Sequence, residues 1–444
     1  MKNNNTLCVA EWQSFSADSI YEILQNKAKA KRIFEEFKEF AQSEGNHQFL
    51  KFKKQDTLVA QNYVGLIQSK NGFSLEILPK TFRSKNEKLG FKEESDDKIQ
   101  DAKNLLLKML QTLKSSPFKQ SNIANLKAQK LPLLEIFVLM FLQELESLVK
   151  KGIKSAYKIE QSNKTFLKGK LLFNENLKHN LTHKERFFTQ SDEFSQNIAQ
   201  NRLIVSTLSM LSKRNFSHKI GVKILQMRFI FGEIPLSENL EKDFAKCHNS
   251  RHFKGYENIL AWCEIFLKKE TPSIYQGTHK CFALLFDMNV LFESFVAYHC
   301  KKELGYALKT QPCEKYFITT DKNDKFLLKP DIVGYEKNSD KDSMPLFIAD
   351  TKWKILDFNE ANFGISQADL YQIFAYLTKY NCETGFLIYP KIESKIEKEQ
   401  NLEGKIFRFK AFKDSKNFAL EILFFDVIKC DLVNSPNLAL KKSD

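Results

Sequence analysis

The sequence predicts a multidomain protein of mixed α/β and α+β class, with a mixed sheet flanked by helices in its C-terminal part. Three observations carry this expectation. The chain has 444 residues, more than one hydrophobic core comfortably holds, so two or three domains are expected. Two short apolar runs, Ile332 to Tyr335 and Pro345 to Ala349, flank a polar, charged tract that includes Asn338, Ser339, Asp340 and Ser343, the pattern of a β-hairpin. After a polar spacer, Gln367 to Tyr380 places Leu370, Ile373, Phe374 and Leu377 at the spacing of an amphipathic helix.

Composition bounds the possibilities. Hydrophobic residues make up 43% and aromatic residues 13% of the chain, enough for packed cores and too much for a disordered protein. The net charge of +14 points toward a polyanionic partner such as nucleic acid. That inference weakens because the basic residues are 60 Lys against 8 Arg, in a chain also rich in Phe, Asn and Ile, the usage of an AT-rich coding sequence. Cys8, Cys247, Cys263, Cys281, Cys300, Cys313, Cys382 and Cys430 are scattered without a C-x-x-C, so reduced thiols are expected. Cys247, His248 and His252 lie close together but lack a second nearby cysteine to make a zinc site. The opening MKNNNTLCVAEWQSF has no apolar core of signal-peptide length. Because no run reaches the roughly 18 to 20 apolar residues of a membrane span, a soluble, cytoplasmic protein is expected.

Taken in order, Thr6 to Ala10 reads as a strand and about Ala17 to Ser43 as one helix. Tyr63 to Gln68 and Phe73 to Leu78 read as a hairpin across Asn71-Gly72, a strong turn signal, and Pro79 ends its second strand. Residues 81–101 are charge-rich and aperiodic, a loop or linker. Helices are expected at about Lys98 to Lys114 and at Leu133 to Lys150, the latter apolar on most sides and therefore buried. Ala156 to Gln161 and Phe187 to Thr189 read as strands. Lys164, Lys168, Lys170, Lys178, His179, His183, Lys184 and Arg186, interleaved with Phe166, Phe173, Phe187 and Phe188, form either a track for a phosphate backbone or a solvated face with a core behind it. Asn197 to Leu211, His218 to Phe231 and Ile259 to Leu267 read as helices, and Ala283 to Lys302 as a long one carrying Glu293. Strands follow near Ala307 to Gln311, Lys325 to Leu328, the central hairpin and Gly385 to Tyr389. Late strands at Ile406 to Phe412 and Ala419 to Phe425 extend the sheet, and together these make an α/β sandwich. The expected domains are 1–95, a small α+β unit; 96–275, mainly helical; and 276–444, built around the mixed sheet.

The chemistry concentrates at the central hairpin. Asp331 opens its first strand and Asp350 closes its second, and Lys352, two residues on, points to the same side as Asp350. Two carboxylates suit a hard cation such as Mg²⁺, which keeps several waters and takes phosphate oxygens as further ligands. An ammonium beside them can orient a water or neutralise developing charge, which fits phosphodiester hydrolysis. The same residues also read as a turn after Pro330 and a solvated strand end. Gln372 and Tyr376, four apart, share one helix face and can bind a phosphate or hold a metal-bound water.

PD at 330–331, DxK at 350–352 and QxxxY at 372–376, in this order, resemble the PD-(D/E)xK nuclease core and its branch with a QxxxY helix. The wider wording, LLFDMNVLFESFVAYH and IADTKWK with YQIFAYLTKY, looks like the McrC family, nuclease subunits of the McrBC 5-methylcytosine restriction system. The resemblance extends to Tyr63–Lys80, Leu167–Asn180 and Glu193–Leu211. It implies a Mg²⁺-dependent DNA endonuclease in which Asp331, Asp350 and Glu293 ligate metal with the Thr351 carbonyl, Lys352 positions water or stabilises the transition state, and Gln372 and Tyr376 support phosphate or metal-bound water. It also implies an McrB-like AAA+ GTPase ring as partner and double-stranded methylated DNA as substrate. The N-terminal domain would dock into that ring, with the 63–78 hairpin as a protruding contact. GTP would be bound by the partner, in keeping with the lack of a G-x-x-x-x-G-K-[ST] loop here. Two alternatives stay open: an inert adaptor subunit of such a complex, and a stand-alone DNA-repair nuclease.

Overall fold

The computed structural model describes residues 5–82, 96–114, 116–120, 131–248, 255–267, 270–271, 274–275, 281–319, 324–337, 343–356, 360–391, 406–410 and 417–432. Asn338, Ser339, Asp340, Phe412 and His252, named above, lie outside them. The chain packs as two units, Met1–Leu133 with Pro272–Asp444, and Leu134–Thr271.

Among the described residues the first unit holds two large sheets, besides a small one of Ser14–Phe15, Thr57–Ala60 and Leu50–Lys54 and a two-stranded ribbon. In the large N-terminal sheet, Thr6–Ala10 runs parallel to Ser74–Leu78, which pairs antiparallel with Tyr63–Gln68. The next strand, Phe282–Asp287, comes from far along the chain and pairs antiparallel with Tyr63–Gln68. The 63–78 hairpin is therefore the buried middle of a sheet and does not protrude, which corrects the expectation above; its exposed turn residues, Lys70 and Asn71, are tied to Glu36. Gly65 makes the junction possible: it sits at φ +132°, and a Cβ there would run into the Leu284 carbonyl. Two helices cover the sheet, Ala17–Leu24 and Lys27–Gln42, where one was expected. The break falls at Gln25, left-handed at φ 52°, followed by Asn26, whose side chain caps the second helix by accepting from the Lys29 amide. Ile33, Phe34, Phe37 and Phe40 recur at helical spacing and pack with Ile67, Leu75, Ile77, Ala283 and Leu285.

The expected helix Ala283–Lys302 is also two elements, the strand Phe282–Asp287 and the helix Met288–Glu303. FALLFD is apolar at nearly every position, so periodicity could not tell strand from buried helix. Asp287 marks the boundary by accepting the Asn289 amide as N-cap.

The C-terminal sheet is mixed, in the order Ala307–Thr310, Ile332–Tyr335, Phe347–Thr351, Thr384–Pro390, Asn417–Asp426, Ile406–Lys410. The first three strands are antiparallel, the third to fifth parallel, and the last pair antiparallel. The helix Gln367–Tyr380 makes the crossover between the two parallel strands at 347–351 and 384–390. Phe424 packs in the cluster of Ile373 and Leu377, whereas its neighbour Phe425 meets Phe292 and Phe295. Successive strand residues face opposite sides, so Gln367–Tyr380 and Met288–Glu303 cover opposite faces. Lys325–Leu328, expected in this sheet, instead forms a separate ribbon with Lys315–Ile318.

The second unit combines helices Leu133–Lys151, Ala199–Ser212, His218–Ile230, Leu240–His248 and Glu257–Leu267 with a small sheet of Ala156–Lys164, Phe187–Ser195 and Lys170–Leu171. In the basic tract Lys164 and Lys168 are paired with Glu193, and Phe166 and Phe173 are exposed, so no core lies behind those two aromatics. Among the described residues no helix is long and apolar enough to cross a membrane, and no disulfide joins any of the eight cysteines.

Candidate active site

The hairpin that the apolar runs predict is present, with Ile332 opposite Ala349. One step beyond that pair, Asp331 and Asp350 stand at the same end of the two strands. Asp331 Oδ2 accepts both the Thr351 amide, at 2.7 Å, and the Thr351 hydroxyl, at 2.6 Å. Asp350 is 2% exposed, and its Oδ2 lies 2.6 Å from Lys352 Nζ. That contact is a close ion pair, and it opposes the rise that burial gives the Asp350 carboxyl.

From Lys352 a chain of hydrogen bonds runs through the helix. Its ammonium donates to Gln372 Oε1 at 2.7 Å, Gln372 Nε2 donates to the Tyr376 hydroxyl at 2.9 Å, and that hydroxyl donates to the Lys329 carbonyl at 3.2 Å. Lys329 lies two residues before Asp331, so the chain returns to the strand that bears the first acid. The i, i+4 spacing of Gln372 and Tyr376 is what puts both groups within reach of one another.

Charge gathers in this corner. Burial pushes the Asp350 carboxyl up to about 7, with Asp331 adding to the rise and Lys352 opposing it. Burial likewise raises Asp331, against the Thr351 hydrogen bonds and Lys352 that lower it. Glu293, from the helix on the opposite face, is pushed up to about 8, mainly by burial and then by Asp331 and Asp350. Burial holds the Tyr376 hydroxyl up at about 12, so it stays protonated at neutral pH.

Among the described residues no three His, Cys, Asp or Glu side chains close around a single point as a metal cage. The donor set still fits a hard cation. Mg²⁺ takes one or two carboxylates and fills its octahedron with water and substrate oxygens. Asp350 offers a buried carboxylate whose neighbour is the Lys352 ammonium, and the mutual repulsion of three carboxylates is what a cation relieves.

Asp331, Asp350, Thr351, Lys352, Gln372 and Tyr376 are thus linked by direct contacts, and Glu293 joins them through its charge. Sequence reasoning missed several neighbours. Asp369 is buried, 3.9 Å from Lys352 Nζ and 2.6 Å from Lys354 Nζ. It lies three residues before Gln372 on the same stripe, and Ser366 caps the helix by accepting its amide, so a helical wheel could have found it. Gln311 donates its amide to the Asp331 carbonyl and a side-chain hydrogen bond to Glu293, from a left-handed backbone at φ 47°. A non-glycine residue in that region has no sequence signature. Lys114 reaches Thr310 at 2.6 Å and lowers the Glu293 carboxyl.

A mixed α/β protein with buried carboxylates, a lysine and a Gln–Tyr helix on one sheet is the class that fold and site define. The sequence matches the family described as McrBC 5-methylcytosine restriction system component over residues 58–390, and the chain belongs to that family. Among its relatives is the type IV methyl-directed restriction enzyme EcoKMcrBC of Escherichia coli (strain K12), 21% identical over 304 residues that cover 64% of this chain and 84% of the relative. Its fold is similar to a chain in the refined half-complex from the tetradecameric assembly of Thermococcus gammatolerans McrB AAA+ hexamers with bound McrC. That likeness has a TM-score of 0.66 at 18% identity and spans 97% of each chain.

Proposed function

We propose that this chain is the DNA-cleaving subunit of a 5-methylcytosine-dependent restriction system, an McrC-type endonuclease of the PD-(D/E)xK group that works with Mg²⁺. The observation that supports it best is the convergence of Asp331, Asp350 and Lys352 at one end of the hairpin, with Lys352 held by Gln372. Asp331, Asp350 and Glu293, with the Thr351 carbonyl, would hold the cation. The chemistry Mg²⁺ supplies when bound is neutralisation of the scissile phosphate and acidification of a water. Thr351 orients Asp331 through its amide and hydroxyl. Lys352 stands where an ammonium can orient the attacking water or offset charge that develops on the phosphate. Gln372 and Tyr376 fix that ammonium by passing its hydrogen bond on to the Lys329 carbonyl.

The partner in this reading is an McrB-like AAA+ GTPase ring that binds GTP and reads the methylated double-stranded DNA, and whose GTP hydrolysis this chain stimulates. The family membership and the likeness to a structure of McrB hexamers with bound McrC support it. The divisions 1–95 for docking, 96–275 as a mainly helical middle and 276–444 for cutting belong to the same proposal.

The test is cleavage of long, methylated double-stranded DNA with Mg²⁺ and GTP, with and without the partner, comparing wild type with Asp350→Ala. Cutting by wild type only in the full mixture, and none by the variant, is the expected result. Cutting by wild type alone would make it a stand-alone nuclease. Binding of partner without cutting in any mixture would make it an inert adaptor.

A further inference from the structure

Trp353 follows Lys352 directly and is held from a distant part of the chain. The indole is 2% exposed, and its N–H reaches both oxygens of Glu11 at 3.0 Å. Glu11 follows the strand Thr6–Ala10 and is fully buried. Lys80, just after the neighbouring strand Ser74–Leu78, donates its ammonium to the Trp353 main-chain carbonyl at 2.9 Å. The same ammonium lies 3.8 Å from Glu11 Oε2 and 5.6 Å from the centre of the indole ring, and the Lys80 amide donates to Glu11 Oε1 at 3.3 Å. The indole also meets Phe292, the residue before Glu293, at 5.1 Å between rings.

A buried carboxylate and ammonium are a poor device for stability alone, since an apolar pair of similar volume often does as well or better. What they provide is direction. The indole N–H and the carbonyl of one residue are each fixed by a charged group, and charge-assisted hydrogen bonds are the stronger and more directional kind. Trp353 is the middle residue of a tight turn, with the Lys354 amide donating to the Lys352 carbonyl at 2.8 Å, while the Lys352 amide donates to the Ile388 carbonyl. Rotation at Trp353 would therefore move the Lys352 side chain away from Asp350 and Gln372.

We propose that Glu11 and Lys80 are positioning residues for the candidate active site: by clamping the indole N–H and the carbonyl of Trp353, they fix the turn that carries Lys352. The proposal rests on the reading of Lys352 as part of a DNA-cleaving site. It makes cleavage depend on two residues at the end of the N-terminal sheet, whose side chains are in contact with Trp353 and with each other.

The test uses the complete chain and three variants. Lys80→Met removes the carbonyl anchor, Trp353→Phe removes the indole N–H and keeps a ring against Phe292, and the double variant Glu11→Gln, Lys80→Met removes both charges, so that none is left buried without a partner. Lysine labelling by an acylating reagent, followed by mass spectrometry, reads the placement of Lys352 without metal, DNA or partner, with exposed Lys151 as reference. Lys352 is expected to label several-fold faster in folded variants than in wild type, since its side chain is 17% exposed in the clamped state. Single-turnover cleavage with partner, GTP and Mg²⁺ is expected to fall roughly tenfold to a hundredfold, as for a reacting group misplaced by up to an ångström, with DNA binding unchanged. Unchanged Lys352 labelling in folded variants overturns the proposal, and so does a cleavage loss that only follows weaker DNA binding. A wild type that never cuts overturns the cleavage reading instead, and the labelling still decides whether the clamp holds Lys352.

Discussion

Lys352 donates its ammonium to the side-chain oxygen of Gln372 at 2.7 Å, so the strand-end lysine is held by the helix that makes the crossover behind it. Gln372→Ala should therefore behave as a weaker form of Lys352→Ala. Removing the lysine is expected to lower the cleavage rate by about a hundredfold to a thousandfold, the usual loss for one preorganised charge-stabilising group. The glutamine variant should lose less, with partner GTPase stimulation intact in both. A Gln372→Ala enzyme that cuts at the wild-type rate would show that the helix does not support the lysine.

The acid cluster sets a pH dependence in the metal-free protein. Burial raises Asp350 from 3.8 to about 7, Glu293 from 4.5 to about 8 and Glu11 from 4.5 to about 7. A carboxyl whose folded pKa lies above its unfolded value binds its proton more tightly when folded. Its contribution is fully present below the unfolded pKa and is lost as pH rises through the folded one. Thermal stability is thus expected to decline between about pH 4 and pH 8, and Mg²⁺ should restore part of it at the upper end. A melting temperature in chelator that stays level across that window would contradict the burial of these groups.

Asp350→Asn separates stability from activity. The amide removes a buried negative charge beside Asp331 and Glu293, so at pH 8 in chelator the variant should melt above wild type while failing to cut DNA. The advantage should vanish near pH 4, where the wild-type carboxyl is protonated. Scanning calorimetry at the two pH values checks both halves.

Thr351→Val keeps the amide that holds Asp331 and deletes the hydroxyl at 2.6 Å. If Asp331 is a ligand, loss of a supporting partner should weaken the apparent Mg²⁺ affinity in cleavage roughly tenfold to a hundredfold, with less effect at saturating metal. The Mg²⁺ concentration for half-maximal cleavage is the quantity to follow.

Gly65→Ala probes the N-terminal sheet. The added methyl meets the Leu284 carbonyl on a backbone at φ +132°, so the adjoining strands must separate. Overpacking of this kind costs about 1–3 kcal/mol, before any cost of the backbone conformation is added. Urea unfolding of the variant should show the loss, and a midpoint equal to wild type would mean the strand 282–287 is not docked there.

Local pattern made the hairpin and its helix legible. Asp331, Asp350 and Lys352 lie at or just beyond the ends of short apolar strands, and the stripe through Ile373 and Leu377 oriented Gln372 and Tyr376. What the sequence concealed depends on partners far away. Phe282–Asp287 is a strand between Tyr63–Gln68 and Ile274–Tyr275, and alone it reads as the start of a helix. Lys325–Leu328 looks like a sheet strand until Lys315–Ile318 pairs with it. Gln25 and Gln311 adopt left-handed backbones without the glycine or asparagine that would announce them. The clamp on Trp353 joins residues 342 positions apart, beyond any periodicity.

The strand Phe282–Asp287 also bears on how the chain comes to be folded. Tyr63 finds its partner in Asp287, so the N-terminal sheet is not complete until that late strand has been synthesised. Ile67 and Leu75 share their core with Ala283 and Leu285, and until those arrive the emerging chain carries an unpaired apolar strand edge. Synthesis at about 5–20 residues per second leaves that edge open for many seconds. Such an edge invites pairing with other chains, so a nascent fragment that ends before residue 282 is the form of this protein most prone to aggregate and most in need of a chaperone.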